Sequence, residues 1–119
     1  MENKSLLSVC IITKNESRHI RECIKSVKFA SEIIVVDSGS SDDTANIAAG
    51  LGVTVFENAF EDFASQKNYA VSKANHDWVL SLDADERVTD QLRKEIEFKI
   101  QNSACSAYRI KRTSYIFGK

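Results

Sequence analysis

Four apolar runs rich in branched residues, 6–12, 33–36, 53–56 and 78–82, alternate with stretches of helical character, and this alternation constrains the fold more than any other feature of the chain. Continuous runs of Val, Ile and Leu suit strands covered on both faces of a sheet. After the first run, Ile20, Cys23, Ile24 and Val27 recur at i, i+3, i+4 and i+7, and Thr13-Lys14-Asn15-Glu16 before them has the spacing of a capping box. After the second, Gly39 permits a turn, Ser40 and Asp43 are placed to cap a helix over 44–51, and Gly50 and Gly52 end it. A helix over 62–74 follows the third run, with Phe63, Ala64, Ala70, Val71 and Ala74 along one side. Beyond the fourth, Leu92, Ile96 and Ile100 mark a charged helix starting near Thr89, and Ala107, Tyr108, Arg109 and Ile110 begin another strand. The pattern predicts an α/β fold, a mostly parallel sheet with right-handed crossovers and helices on both faces.

A chain of 119 residues fits one domain with a core of its own. With 43% apolar and 28% charged residues it matches folded proteins rather than disordered ones. A formal charge of −1 gives no basic field for a nucleic-acid backbone, so no nucleic-acid partner is expected. No apolar stretch approaches the ~20 residues of a membrane span, and Met1-Glu2-Asn3-Lys4 lacks the apolar region of a signal peptide, which points to the cytoplasm. Cys10, Cys23 and Cys105 are far apart and form no C-x-x-C, so they read as reduced core thiols.

In sheets of this kind ligands bind beyond the carboxyl ends of the strands, which puts Thr13 to Glu16, Asp37 to Ser41 and Asp83 to Glu86 on one rim. Asp83, Asp85 and Glu86 crowd the end of a buried strand, and such charges either face water or are neutralised by a cation. The structural alternative is a solvated turn. An EF-hand starting at Asp83 fails, because its sixth and twelfth positions are Val88 and Lys94 instead of Gly and Glu. A haloacid dehalogenase phosphatase remains as an alternative, although its D-x-D-x-[TV] motif follows the first strand and here Arg87 stands at the fifth position. An Asp at a strand end, as at Asp37, can accept from a nucleobase N–H or a ribose hydroxyl, or simply belong to a capped helix start. No G-x-G-x-x-G and no P-loop is present, which excludes the usual NAD, FAD and ATP motifs. Lys67 reads as a surface residue on its helix, and His19 and His76 have no metal or nucleophile partners at suitable spacing.

The runs Ser8 to Glu16, Ile34 to Thr44 and Leu82 to Glu86 closely resemble the nucleotide-binding half of family 2 glycosyltransferases with the GT-A fold. Phe63-Ala64-Ser65-Gln66-Lys67-Asn68-Tyr69-Ala70 and Tyr108-Arg109-Ile110-Lys111-Arg112 look further like bacterial lipopolysaccharide-core glucosyltransferases. The resemblance implies a Rossmann-like donor-binding domain over 1–119 and a UDP-sugar donor. It places Thr13 and Glu16 beside the base and ribose, Asp37 on the uracil ring, and Lys67 near the nucleotide. Asp83 would face the ribose or donor sugar, and Asp85 would hold Mg or Mn on the diphosphate. The implied acceptor is a saccharide or glycolipid, with peripheral contact at the inner membrane face. In relatives a carboxylate base lies well downstream of the D-x-D. The expectation is therefore an N-terminal portion of a longer enzyme, with a base outside this chain, a sheet face open to self-association, and donor binding with little or no transfer. A nucleotide-binding module without chemistry is the remaining alternative.

Overall fold

Every helix predicted from the apolar spacing forms, and the computed structural model describes residues 7–59, 62–76, 78–102, 107–109 and 115–118. The elements run β1 (Leu7–Thr13), α1 (Ile20–Ser26), β2 (Glu32–Asp37), α2 (Thr44–Gly50), β3 (Thr54–Glu57), α3 (Phe63–Lys73), β4 (Trp78–Asp83), α4 (Asp90–Asn102), β5 (Ala107–Arg109) and β6 (Tyr115–Gly118). The sheet order is β3-β2-β1-β4-β6-β5. β3, β2, β1 and β4 pair in parallel, whereas β6 runs antiparallel to both β4 and β5.

The two faces of β1 divide the core. Leu7, Val9 and Ile11 pack with Val35, Leu80 and Leu82 under Ile20, Cys23 and Ile24 of α1, Ala48 of α2 and Ile96 of α4. On the opposite face Cys10, Ile34, Val36 and Val79 meet Ala70 and Ala74. Alanines on this side let α3 approach closely, and the Cys10 thiol donates to the Ala70 carbonyl at 3.5 Å. Cys10 and Cys23 are buried free thiols, as expected, while Cys105 lies outside the described residues. Burial pushes the Cys23 thiol up to about 12, so it stays protonated.

Two helix starts and the buried face of a third helix differ from the sequence expectation. Thr13 and Glu16 do not form a capping box: Thr13 still belongs to β1, its hydroxyl donates to Asp37, and α1 begins only at Ile20 after a turn in which Asn15 adopts φ 55°. Ser40 and Asp43 do not cap α2 with their side chains either. The Ser40 hydroxyl goes to Asp37, and Asp42 accepts from the Thr44 N–H at 3.0 Å. On α3 the Asp62 carboxylate does cap, accepting from the Ser65 N–H at 2.7 Å. Its buried face, however, is Gln66, Ala70 and Ala74, and Phe63 is 66% exposed. Residues 66, 70 and 74 step by four, and the polar amide at 66 hides the stripe from an apolar count. The strand start at 107 agrees with the sequence reading, and Ile110 lies outside the described residues.

The carboxyl ends of the strands are level, with Thr13 opposite Asp37 on β2 and Ile12 opposite Asp83 on β4. Asp37 locks the β1 and β2 ends together. Its Oδ1 accepts from the Thr13 and Ser40 hydroxyls, both at 2.7 Å. Its Oδ2 accepts from the N–H groups of Ser40 at 2.8 Å and Gly39 at 3.1 Å. Gly39 sits at φ 90°, where a side chain would be strained. Burial pushes the Asp37 carboxyl up, but the hydrogen bonds from Ser40, Thr13 and Gly39 outweigh it and hold the group below the usual carboxylate value.

Two stability measurements follow from this packing. Ile11→Ala, at a fully buried position, is expected to cost about 2–5 kcal/mol in urea denaturation, whereas Glu95→Gln on exposed α4 surface should stay within about 0.5 kcal/mol. Asp37→Asn exchanges an acceptor for an amide facing N–H and O–H donors and is expected to cost about 2–4 kcal/mol at neutral pH. Because the folded value is depressed, the carboxylate's contribution is complete above its unfolded pKa near ~3.9 and disappears as pH falls through the lower folded value. The gap between native and Asp37→Asn midpoints should therefore narrow below about pH 4; a gap constant down to strong acid would contradict this assignment.

Candidate functional site

At the carboxyl ends of β1, β2 and β4 lies a cavity of about 490 Å³. Ile12, Thr13, Lys14 and Glu16 line it from β1 and its following turn, Ser38 from just after β2, Phe63 from the start of α3, and Asp83, Ala84 and Asp85 from the end of β4 and the turn after it. Residues far apart in sequence reach one rim because the strands are parallel and in register.

The two turns over β1 and β2 are stitched to each other. The Asn15 N–H donates to Ser40 Oγ at 2.7 Å, and Asn15 Oδ1 accepts from the Ser41 N–H at 2.8 Å. The Glu16 N–H donates to Thr44 Oγ1 at 2.8 Å, and the Ser17 N–H to Asp42 Oδ2 at 3.2 Å. A hydrogen bond from the Thr44 hydroxyl is the main cause that draws the Asp42 carboxyl down to about 2. The Glu16 position is thus set by the start of α2 as well as by β1.

Of the residues expected in the site, Thr13, Glu16, Asp83 and Asp85 line the cavity together. Asp37 and Lys67 do not contribute to its lining. Asp37 is 1% exposed and accepts four hydrogen bonds, three from Gly39 and Ser40 of its own turn and one from the Thr13 hydroxyl on β1. Lys67 is half-buried on α3 next to Gln66. Ser38 and Phe63 line the cavity without having been singled out. Ser38 immediately follows the last strand residue of β2 and lies in the Asp37 to Ser41 stretch that the rim rule put there, although no role was given to it.

The acidic cluster divides into different roles. Glu86 turns back, its carboxylate accepting from the Asp83 N–H at 3.0 Å while its own N–H donates to the Asp83 carbonyl at 3.0 Å. Arg87 donates to the Ala84 and Glu86 carbonyls at 3.2 and 3.0 Å and bridges to His19 Nδ1 at 3.4 Å, which fixes the turn against the start of α1. Asp85 is exposed and Asp83 half-buried at the cavity wall. Burial raises the Glu16 carboxyl above its ordinary value, and the charge of Asp85, then those of Asp83 and Asp42, raise it further against the opposing pull of His19.

Among the described residues no group of three or more His, Cys, Asp or Glu side chains forms a ready metal cage. Mg and Mn do not need one, since they accept one or two carboxylates and complete their coordination with phosphate oxygens and water. Asp85, with Asp83 beside it, both among the charges that raise the Glu16 carboxyl, fits that donor set. Among the described residues no helix is long and apolar enough to cross a membrane.

Residues 8–116 match the family described as Glycosyl transferase family 2. A glycosyltransferase of Rickettsia conorii is 47% identical over 100 residues, covering 81% of this chain and 36% of its own. The lipopolysaccharide core biosynthesis glycosyltransferase LpsC of Rhizobium meliloti is 32% identical over 118 residues, covering 94% of this chain and 44% of its own. The chain therefore spans less than half the length of these curated relatives. The crystal structure of glucosyl-3-phosphoglycerate synthase from Mycobacterium tuberculosis with Mn2+, UDP-glucose and glycerol 3-phosphate superimposes with a TM-score of 0.74 at 21% identity, over 87% of this chain and 43% of that one. TarS of Staphylococcus aureus gives 0.71 at 24% identity, over 88% and 35%. These structures share the GT-A arrangement of the parallel strands and helices. By the family match over 8–116 and the identity to its curated relatives, the chain belongs to glycosyl transferase family 2.

Proposed function

We propose that this cavity binds the nucleoside diphosphate of a nucleotide-sugar donor, with UDP-sugar favoured, and that the protein serves transfer of the sugar to a saccharide or glycolipid acceptor in the cytoplasm. The observation that carries the reading is the chemistry gathered in one cavity: carboxylates from the end of β4 and from the β1 turn, a hydroxyl at the end of β2, and an aromatic ring from the start of α3. A diphosphate with its cation suits the carboxylates, and a nucleoside suits the uncharged lining. The M. tuberculosis enzyme was crystallised with Mn2+ and UDP-glucose, and LpsC is named for lipopolysaccharide core synthesis, which supports both the donor class and a glycolipid acceptor.

In this reading Asp85 holds Mg or Mn, with Asp83 beside it turned to the ribose or donor sugar. A divalent cation there supplies charge stabilisation for the leaving diphosphate. Thr13 and Glu16 border the ribose from the β1 turn, held in place by Asp37 and Thr44. Asp37 acts as a positioning residue through Thr13 and Ser40 instead of touching the base. Lys67, on the α3 flank, adds positive potential toward the nucleotide. A phosphatase with Asp83 as nucleophile is not favoured by the family match.

Calorimetric titration of UDP into the native chain and into Asp85→Ala, each with Mn2+ and with EDTA, tests this. Saturable binding is expected for the native chain with Mn2+, at least about tenfold weaker after chelation or in Asp85→Ala. Equal affinity in all four titrations would contradict the metal assignment, and no binding in any would contradict the nucleotide site.

A further inference from the structure

A polar stripe of α1 faces the turn that follows β4. His19, the residue before the helix, and Cys23 and Ser26 within it are spaced i, i+4 and i+7, so they lie one above another along one side. Each meets a different point of the turn. His19 Nδ1 lies 3.4 Å from the Arg87 guanidinium, the Cys23 thiol donates to the Asp83 carbonyl at 3.8 Å, and Ser26 Oγ accepts from the Val88 N–H at 3.0 Å. The same helix starts on the Glu16 carbonyl, which accepts from the N–H groups of His19 and Ile20, both at 2.9 Å. Thus α1 ties the turn after β1 to the turn after β4.

Within the second turn Asp85 has no side-chain anchor of its own. Its carboxylate is exposed and accepts no hydrogen bond among the described residues. Its direction therefore depends on the two peptides that flank it, and one atom holds both. Arg87 Nη1 donates to the Ala84 carbonyl at 3.2 Å and to the Glu86 carbonyl at 3.0 Å. The other arm of the guanidinium, Nη2, reaches His19. A guanidinium has donors and no acceptor, so His19 Nδ1 accepts and the ring carries its proton on Nε2.

We propose that Arg87 and His19 are positioning residues for Asp85. Arg87 clamps the peptides on either side of it, and His19 fixes the clamp to α1, so that the carboxylate meets a divalent cation without having to be ordered by it. This inference rests on the assignment of Asp85 as the cation's ligand. A clamp and a bare charge act with opposite signs. The guanidinium is a cation beside a cation site, so through charge alone it opposes metal binding, and its removal would tighten that binding. Through the clamp it favours metal binding, and its removal weakens it.

Titration of Mn2+ into the UDP-saturated chain, read by loss of the free Mn2+ signal in electron paramagnetic resonance, separates the two. Arg87→Met is expected to weaken Mn2+ binding about tenfold, as for loss of an outer-shell partner. Arg87→Lys keeps the charge but loses the fork, and should weaken it as well. His19→Leu should weaken it about fivefold, the worth of one hydrogen bond. His19→Asn places an acceptor oxygen close to the position of Nδ1 and should restore the affinity, which a role in packing alone would not produce. Thermal melting of each variant reports folding, and if the Arg87 variants fail to fold the His19 pair carries the comparison. Unchanged affinity in a folded Arg87 or His19→Leu variant, tighter binding in Arg87→Met, or His19→Asn as weak as His19→Leu would overturn the inference while the metal site stands. Absence of Mn2+ binding to the UDP-saturated native chain would overturn it together with the metal assignment.

Discussion

The hydrogen bond from Thr13 to Asp37 joins the carboxyl ends of two neighbouring parallel strands, and the rest of the rim depends on it. A parallel sheet delivers strand ends to one edge, but the turns leaving those ends have no ladder to hold them. Here a single buried carboxylate gathers hydroxyl and N–H donors from both sides, and Ser40, which it orients, accepts in turn from Asn15. The result is a pair of turns fixed to each other before any ligand arrives. Such fixing matters for binding, because a floor already ordered does not have to be ordered by the ligand.

The electrostatics of the rim are unbalanced in a purposeful way. Glu86 is consumed in closing the turn after β4, and Arg87 is spent on carbonyls and His19, which leaves Asp83 and Asp85 facing the cavity together with Glu16. Burial first, and then the charges of Asp85 and Asp83, raise the Glu16 carboxyl above its ordinary value. A divalent ion accompanied by phosphate oxygens relieves this negative charge, whereas a bare anion would aggravate it. The Ser38 hydroxyl and the Phe63 ring add uncharged lining to the same cavity.

Much of this architecture was legible in the sequence. Branched runs mark the strands because both sheet faces are covered, and the rim rule brings Thr13, Glu16, Asp83 and Asp85 together without knowledge of any contact. Three features were not legible, for one physical reason. The role of Asp37, the true face of α3 and the Ser38–Gln66–Asn58 network all depend on polar side chains buried in specific partnerships. Hydrophobic periodicity reports where water is excluded and is blind to a buried amide or carboxylate whose partners are remote in sequence. Capping signals failed similarly: Thr13 and Ser40 have the chemistry of caps, but a long-range acceptor, Asp37, claimed both hydroxyls.

The central claim is that Asp85 binds a divalent ion jointly with the phosphates of a nucleotide that extends from Asp83 across β1 toward Ser38. Paramagnetic line broadening in the amide spectrum of the isotope-labelled chain, with substoichiometric Mn2+ and saturating UDP, tests it most directly. The account predicts that the amides of Asp83 to Glu86 broaden first, those of the Thr13 to Glu16 turn next, and that Ser38 shifts with UDP while broadening least of the three. Broadening centred elsewhere, or the same pattern and strength without UDP, would contradict it.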